Sequence, residues 1–325
     1  MNRFIHNLSK ELDTAVKKLK TLVLRKKKIQ LVFLVVFGLL LQGCVMEELP
    51  VSKGKEQTYI SEEGAEMNLK SYTYEIKEIS SKIEEQNIYG VAYIPDTKDK
   101  VPLVIFAHEL CSTHKSGEGY AKELATRGIA VYTFDFRGGS KESRSDGSTV
   151  EMSVMSEADD IDAVIQEVTK WNFVDTERII LMGASQGGMA SAISATRNQS
   201  KLSGLILLYP ALLVRDEIHE LFEELENVPE QFNFKQWITL GRNYATDVWD
   251  YDVYEDMKAF EKPVLILHGD QDMVVDISYS DHASKTYPYA ELYVLSGGGH
   301  VFRGESFQEA VHYIAEYLQK LQFFI

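Results

Sequence analysis

The chain has 325 residues, of which 45% are hydrophobic and 26% are charged, which is typical of a globular protein and excludes a disordered chain or a fibre. Its formal net charge is −15, but residues 1–43 are basic. Without them 25 basic residues face 47 acidic ones, which gives −22. Because a surface this acidic repels phosphate backbones, we expect no nucleic-acid partner.

Residues 1–43 have the layout of a secretory signal peptide. The basic cluster Arg25-Lys26-Lys27-Lys28 precedes an apolar run over residues 29–41, and Gln42-Gly43-Cys44 follows. This run is shorter than the roughly 20 residues that a membrane-spanning helix needs. We therefore expect an exported protein.

The residues around Cys44 resemble a bacterial lipobox, in which the cysteine is lipidated and becomes the new N-terminus. The sequence there is Leu41-Gln42-Gly43-Cys44. A diacylglyceryl group on Cys44 would attach the protein to the outer face of a bacterial cell membrane. Two alternatives stay open at this position: an uncleaved signal anchor and a buried structural cysteine. With Cys44 lipidated, Cys111 is the one remaining thiol, so we expect no intrachain disulfide.

The rest of the chain divides into a stalk and a domain. Residues 44–69 are polar and predict a flexible stalk, and residues 70–325 predict one globular domain. Alternating residues over 71–79 and 88–94 predict an opening β-hairpin.

Short apolar runs then alternate with helical patterns through most of the domain. The runs cover residues 103–107, 129–134, 179–182, 205–209, 264–267 and 292–295. Such runs are typical of strands covered on both faces. Helices are predicted over 156–171, with Ser156 and Asp159 as a capping box, and over 306–321. The alternation predicts a doubly wound α/β fold with a mostly parallel sheet.

The alternation stops over residues 215–261, which are rich in Glu, Phe, Trp and Tyr and show no strand pattern. This segment predicts a small helical lid insertion over the carboxyl edge of the sheet. It either shapes a substrate pocket, which we favour, or is a peripheral addition.

Gly183-Ala184-Ser185-Gln186-Gly187 matches the G-x-S-x-G pattern of a nucleophile elbow, and it stands between a predicted strand and a helical pattern. The small residues allow the sharp strand-to-helix turn that exposes the serine. By itself the pentapeptide is a weak signal, but its position between strand and helix strengthens it. We predict Ser185 as a nucleophile.

A nucleophilic serine needs a base and an acid that orients the base, in the chain order Ser, Asp, His. His300 follows one predicted strand, and two aspartates, Asp270 and Asp272, follow another. The carboxyl ends of parallel strands meet at one edge, so these side chains are expected there together. His300 is predicted as the base and Asp272 as the acid, although spacing alone leaves Asp270 as a competitor. We interpret His108, His114 and His268 as structural.

A tetrahedral intermediate also needs two donors for its oxyanion. The backbone N–H of Gln186, directly after the nucleophile, is one candidate, and that of Leu110, after the first core strand, is the other. Cys111 is interpreted as a bystander rather than a nucleophile. No zinc-ligand spacing and no P-loop occur, so the sequence indicates neither a metal nor a cofactor.

Several separate motifs over about residues 70–322 resemble the α/β-hydrolase superfamily. Within it they resemble the bacterial feruloyl and cinnamoyl esterase-like hydrolases, which are related to prolyl oligopeptidase-type enzymes. The motifs are Phe106-Ala107-His108, Asp135-Phe136-Arg137-Gly138, Ser143-Arg144-Ser145-Asp146-Gly147, Met182-Gly183-Ala184-Ser185-Gln186-Gly187-Gly188, Leu267-His268-Gly269-Asp270-Gln271-Asp272 and Gly298-Gly299-His300.

The resemblance implies that Asp272 rather than Asp270 is the acid, and that a lid precedes the strand bearing it. The chain departs from the family pattern in three places: Glu109 replaces the usual glycine, Asp276 replaces a proline, and Val301 replaces a glycine. Glu109 changes the backbone freedom of the oxyanion loop.

These residues predict a serine hydrolase that cleaves a small carboxylic ester through an acyl-enzyme on Ser185. Two alternatives stay open. One is a prolyl oligopeptidase-type peptidase, although 325 residues leave no room for the β-propeller that such enzymes usually carry. The other is a surface lipoprotein that binds a glycan or another partner without turnover, for which Glu109 is the one feature in favour.

Overall fold

The structure is a computed structural model, and it describes residues 71–324. The predicted signal peptide, the stalk and Cys44 lie outside the described residues. No helix within residues 71–324 is long and apolar enough to cross a membrane.

Strands and helices follow one another through the described residues. The strands are β1 (Tyr74–Glu78), β2 (Ser81–Ile83), β3 (Gln86–Ile88), β4 (Gly90–Pro95), β5 (Val101–Ala107), β6 (Ala130–Phe134), β7 (Val174–Ala184), β8 (Gly204–Leu208), β9 (Gln231–Phe234), β10 (Ile238–Gly241), β11 (Val264–Gly269) and β12 (Ala290–Leu295). The α-helices are α1 (Glu118–Ala125), α2 (Val154–Val168), α3 (Gln186–Arg197), α4 (Val214–Leu221), α5 (Arg242–Thr246), α6 (Val253–Ala259), α7 (Ile277–Thr286) and α8 (Glu305–Lys320). Two short 3₁₀ turns cover His114–Gly117 and Leu225–Asn227.

The central sheet has eight strands in the order β1-β4-β6-β5-β7-β8-β11-β12. From β6 to β12 every neighbouring pair is parallel, and β4 and β1 are added in antiparallel fashion at one edge. Each predicted apolar run coincides with one of these strands, except that Ile129 precedes β6 and Tyr209 follows β8. The prediction of a doubly wound, mostly parallel sheet is confirmed, and so is the opening pair, in which β1 faces β4 across the small β2–β3 hairpin.

Helices cover both faces of the sheet because alternate strand residues point to opposite sides. In β5, Leu103 and Ile105 belong to the core beneath α2 and α3, whereas Val104 and Phe106 belong to the core beneath α1 and α8. All four side chains are fully buried. Burial of each such side chain stabilises the fold by about 1.5–3 kcal/mol, and two separate cores fix the sheet between its helices.

The predicted insertion over 215–261 contains α4, α5 and α6, as expected, and also a two-stranded hairpin that the sequence did not predict. Strands β9 and β10 pair antiparallel from Phe234 with Ile238 to Gln231 with Gly241. The turn between them contains Lys235 and Gln236, both with positive φ, 51° and 63°. Tight hairpins usually carry Asn-Gly at such positions. Lys-Gln gives no such signal, so the strands went unrecognised.

Helix α2 begins earlier than predicted. Its N-cap is Ser153, whose hydroxyl accepts the Ser156 N–H at 3.2 Å, while the Ser156 hydroxyl accepts the Ser153 N–H at 2.8 Å. Ser156 is therefore the second partner of the capping box and not the cap, and the predicted pairing of Ser156 with Asp159 is wrong. The helix also ends at Val168 rather than at residue 171.

Candidate active site

Ser185 occupies a sharp turn between β7 and α3. Its φ and ψ are 52° and −118°, a conformation that L residues rarely adopt and that costs about 1–3 kcal/mol. The turn is possible because two glycines flank it. A Cβ at Gly183 would overlap Ser191 Oγ and the Gly187 carbonyl, and a Cβ at Gly187 would overlap the backbone oxygens of Ala107 and His108. The turn thus has the geometry of a nucleophile elbow.

The three predicted polar side chains lie in one chain of hydrogen bonds. His300 Nε2 is 2.9 Å from Ser185 Oγ, and His300 Nδ1 is 2.8 Å from Asp272 Oδ2. Their positions follow from the sheet, because Ser185, Asp272 and His300 come after β7, β11 and β12 at one edge.

Several hydrogen bonds hold Asp272 in its ionised form. Oδ1 accepts the backbone N–H groups of Val274 and Val275 at 2.8 and 2.9 Å. Burial alone raises the pKa of this carboxyl, but hydrogen bonds from His268 and His300 outweigh burial and bring the pKa well below its usual range. A fixed carboxylate beside His300 Nδ1 favours the imidazole tautomer whose Nε2 can accept a proton from Ser185.

Asp270, the competing aspartate, is exposed and has a different role. Its Oδ1 accepts the Gly297 N–H at 2.7 Å, and its own N–H donates to the Leu295 carbonyl at 3.1 Å. These bonds join the loop after β11 to the loop that carries His300. Asp270 is therefore a turn residue.

None of the three other histidines singled out in the sequence contacts Ser185, although His268 Nε2 lies 3.3 Å from Asp272 Oδ2. His268 is buried between Ser280 Oγ, 2.7 Å from Nδ1, and the Val275 carbonyl, 3.0 Å from Nε2. His108 accepts the Phe136 N–H on Nε2 at 3.1 Å, and burial lowers its pKa, so it is neutral. His114 pairs with Asp135 at 2.7 Å.

The two predicted oxyanion donors keep their backbone N–H groups free. Gln186 is the first residue of α3, where N–H groups have no partner within the helix. Neither the Gln186 nor the Leu110 N–H has an acceptor within residues 71–324. The next amide, of Cys111, is occupied by the Gly139 carbonyl at 3.2 Å. Leu110 therefore remains the candidate donor in its loop.

Several known proteins are similar to this chain in sequence or in fold. Residues 98–246 match the family described as "Serine aminopeptidase, S33". The AB hydrolase superfamily protein YisY of Bacillus subtilis (strain 168) is 25% identical over 234 residues, which cover 61% of this chain and 84% of YisY. The structure titled "Ferulic Acid bound to Est1E from Butyrivibrio proteoclasticus" superposes with a TM-score of 0.68 at 24% identity, over 75% of this chain and 98% of that one.

The chain has the α/β-hydrolase fold. A further solved structure of this fold, the alpha/beta hydrolase domain-containing protein 10 from mouse, has a TM-score of 0.62 at 20% identity and covers 75% of this chain and 99% of that one. Together the comparisons support a hydrolase of the α/β-hydrolase type.

In this α/β-hydrolase fold the insertion contacts the elbow directly. Tyr244 of α5 donates its hydroxyl to Gln186 Oε1 at 2.6 Å, and both side chains are buried. Gln186 Nε2 donates weakly to Met152 Sδ at 3.6 Å. The insertion is therefore linked to the residue whose backbone N–H is a candidate oxyanion donor.

Glu157, on α2, is a buried acid that the sequence analysis did not single out. It is 1% exposed, and neither carboxyl oxygen has a hydrogen-bond partner within residues 71–324. Burial raises its pKa well above the usual value, although the nearby Gln186 side chain acts in the opposite direction. Its position on the same helix face as Ile161 and Val168 was the available signal, because a carboxyl on an apolar stripe is unusual.

Cys111 lies in the loop of the predicted oxyanion donor Leu110, in a left-handed conformation with φ of 64°. Burial raises the pKa of its thiol to about 12. Since the thiolate is the nucleophilic form, this thiol is unreactive near neutral pH. The interpretation of Cys111 as a bystander fits this environment.

The insertion also presents a charged pair to the site. Glu217 of α4 forms an ion pair with Lys235 in the β9–β10 turn, and both side chains are mostly buried. Burial raises the pKa of Glu217, Lys235 lowers it, and the field of His300 also lowers it. The effect of His300 on Glu217 indicates that α4 lies near the edge of the sheet that carries His300.

Proposed function

We propose that the protein is a serine esterase that hydrolyses a small carboxylic ester through an acyl-enzyme on Ser185. One observation carries the proposal: the imidazole of His300 lies within hydrogen-bond distance of both Ser185 Oγ, at 2.9 Å, and Asp272 Oδ2, at 2.8 Å. Geometry of this kind is what distinguishes a serine nucleophile from a structural serine.

In the acylation step Ser185 Oγ attacks the ester carbonyl carbon while His300 Nε2 takes the hydroxyl proton. The carbonyl oxygen becomes an oxyanion, which the N–H groups of Gln186 and Leu110 stabilise. The bond from carbon to the alcohol oxygen then breaks, and His300 returns the proton to the leaving alcohol. An acyl group remains on Ser185.

Deacylation repeats these steps with water. His300 Nε2 removes a proton from water, the resulting oxygen nucleophile attacks the acyl carbon, and the bond to Ser185 Oγ breaks as that oxygen regains the proton. Asp272 stays ionised throughout and stabilises the imidazolium that forms in each half of the cycle. Its low pKa suits this role, because a neutral acid would stabilise imidazolium poorly.

A peptidase is the second candidate, and the matched family favours it because its description names a serine aminopeptidase. Glu217 of α4, an acid that could bind a free amino terminus, is already paired with Lys235. We rank the ester above the peptide because the fold is similar to that of Est1E with bound ferulic acid.

The test uses an active-site label and two substrates. A fluorophosphonate probe is expected to label the wild type and not Ser185→Ala. Ser191→Ala is the matched control, because Ser191 is a buried serine of α3 whose hydroxyl has no hydrogen-bond partner within residues 71–324. Faster turnover of p-nitrophenyl esters than of aminoacyl p-nitroanilides supports the esterase. The reverse order supports the peptidase, and an unlabelled wild type supports the binding protein instead.

We further propose that the protein is exported and held on the outer face of a bacterial cell membrane by a lipid on Cys44. The lipobox-like sequence before Cys44 supports this proposal. Metabolic labelling with an alkyne fatty acid should mark the wild type and Cys111→Ser but not Cys44→Ser. Labelling that survives in Cys44→Ser would contradict the proposal.

A further inference from the structure

Tyr209, the residue after β8, lies between His300 and the loop that contains Leu110. The centroid of its ring is 5.0 Å from that of the His300 imidazole, with the two planes tilted by 58°. Its hydroxyl donates to Glu109 Oε1 at 2.9 Å. Tyr209 is 1% exposed and has a φ of 39°, so a buried, strained residue links the two parts of the site.

The carboxyl group of Glu109 is only partly hydrogen-bonded. Only Oε1 is hydrogen-bonded, since Oε2 is buried without a partner within residues 71–324. A buried, unsatisfied carboxyl oxygen costs free energy, and a residue without a polar side chain would avoid that cost. A contribution to stability therefore does not account for Glu109 at this position.

We propose that Glu109 and Tyr209 form a positioning pair that stabilises the imidazolium form of His300 during ester cleavage. The inference rests on the proposed esterase function and adds two residues to its machinery. Neither residue touches the reacting atoms. Glu109 acts through Tyr209, and Tyr209 acts through the contact of its ring with His300.

The physical basis is the quadrupole of the aromatic ring. A cation within about 6 Å of a ring centroid is attracted to the π-electrons, and the attraction is strongest where water is excluded. A phenol that donates its proton to a carboxylate gains electron density in its ring. Glu109 thus strengthens the attraction between Tyr209 and the imidazolium, which exists in the transition states but not in the resting enzyme.

Other charged and titratable groups lie around His300. His300 contacts Ser185 and Asp272, and from the insertion its charge interacts with Glu217, which is paired with Lys235. Substitutions at Glu109 or Tyr209 leave these groups unchanged, so their electrostatic effect on His300 is the same in every variant.

Besides Tyr209, two further groups feel the charge of Glu109, which acts to raise the pKa of His108 and of Tyr120. His108 is neutral, as its lowered pKa indicates. The Tyr120 hydroxyl has no hydrogen bond to Glu109. Tyr120→Phe therefore removes a phenol from the same core without breaking the pair, and it is the matched control.

The experiment measures kcat and KM for p-nitrophenyl acetate from about pH 5 to pH 9 for the wild type, Glu109→Gln, Tyr209→Phe and the double variant. Glutamine keeps an acceptor for the Tyr209 hydroxyl but removes the negative charge. Each single variant should lose about three- to tenfold in kcat, and its acid limb of kcat/KM should move by about half a unit to lower pH, because imidazolium is less stable. The double variant should be no worse than either single one.

Thermal unfolding checks that each variant folds, and Tyr209→Phe provides the same measurement should Glu109→Gln fail to fold. An acid limb that stays at its wild-type position in both single variants would overturn the proposal, as would losses that simply add in the double variant. A loss of kcat with an unmoved limb indicates a merely structural role and also overturns it. These results leave the esterase proposal intact, whereas a wild type that hydrolyses no ester refutes the esterase itself.

Discussion

His268 and His300 share one carboxylate oxygen. Asp272 Oδ2 lies 2.8 Å from His300 Nδ1 and 3.3 Å from His268 Nε2. The two rings differ in their surroundings, since His268 is fully buried and the His300 side chain is 14% exposed at the edge of the sheet where Ser185 lies. One histidine therefore fixes the acid in place while the other faces Ser185.

Replacement of His268 is expected to impair catalysis without touching the reacting atoms. His268→Gln removes a hydrogen bond that lowers the pKa of Asp272 and loosens the carboxylate beside His300. We expect kcat for a p-nitrophenyl ester to fall about tenfold or more, with a smaller change in KM, because a small misplacement of catalytic groups is costly.

Ser280→Ala is the control for the His268 variant. Ser280 Oγ contacts His268 Nδ1 at 2.7 Å on the side away from Asp272. Its loss should cost about 1 kcal/mol of stability in urea unfolding and leave kcat within a few-fold of the wild type. Equal kcat losses in both variants would contradict a specific role of His268 in holding Asp272.

The crowding at the elbow predicts that alanine destabilises the protein far more at Gly187 than at Gly299. Gly187→Ala forces a Cβ into the backbone oxygens of Ala107 and His108, which cannot move without shifting β5. We expect a loss of about 3 kcal/mol or more in the free energy of unfolding, together with loss of fluorophosphonate labelling.

Gly299, next to His300, gives the matched comparison. A Cβ at this position would meet no atom within 4 Å, and its φ is not in the left-handed region. Gly299→Ala should unfold at nearly the wild-type urea concentration. Should Gly299→Ala destabilise as much as Gly187→Ala, crowding at the elbow would not be the cause.

The sequence predicted most of the sheet edge at which Ser185, Asp272 and His300 meet. Strands β5, β7 and β11 could be recognised because continuous apolar runs are typical of strands buried on both faces. Strand β12 has a similar run but lies at the edge of the sheet, where most of its residues are half-buried or exposed. Parallel pairing then requires that the residues after these runs meet at one edge. Spacing could not decide between Asp270 and Asp272, because which carboxylate faces His300 depends on the course of a loop.

Features that depend on contacts between distant residues were not predictable in this way. The β9–β10 hairpin lacks a recognisable turn sequence, so its strands were taken for part of a helical segment. The hydrogen bond from Tyr209 to Glu109 joins residues 100 positions apart, and no local pattern indicates it. Local periodicity reports which side of an element is buried, but it does not report which buried groups meet.

Tyr244 tests whether the insertion shapes the substrate pocket or is peripheral. Tyr244→Phe removes the 2.6 Å hydrogen bond to Gln186, whose backbone N–H is a proposed oxyanion donor. We expect about 1–2 kcal/mol of lost stability and, in addition, a severalfold lower kcat/KM for p-nitrophenyl esters.

Tyr287→Phe is the control, because the buried Tyr287 hydroxyl has no hydrogen-bond partner within residues 71–324. Its loss should leave kcat/KM unchanged and cost little stability. A Tyr244→Phe variant that is less stable but hydrolyses esters at the wild-type rate would mean that the insertion is a peripheral addition.

The raised pKa of Glu157 predicts that the free energy of unfolding falls as the pH rises. Its pKa is raised in the folded protein, so the folded state keeps a proton that the unfolded chain releases above about pH 4.3. The contribution to stability is fully present below that pH and falls, by up to about 1.4 kcal/mol per pH unit, as the pH rises toward the folded pKa. Glu157→Gln stays neutral, and so it should gain stability over the wild type between about pH 4.5 and pH 8, with little difference at the lower pH.

Urea unfolding at several pH values measures this difference directly. Glu167→Gln is the comparison on the same helix, since Glu167 forms a surface ion pair with Lys170 at 2.8 Å, and its loss should cost no more than about 1 kcal/mol. A stability difference between Glu157→Gln and the wild type that is the same at both ends of the pH range would mean that Glu157 is ionised when buried. In that case an unidentified partner must stabilise its charge, because a lone carboxylate in this apolar setting would cost more than the fold can supply.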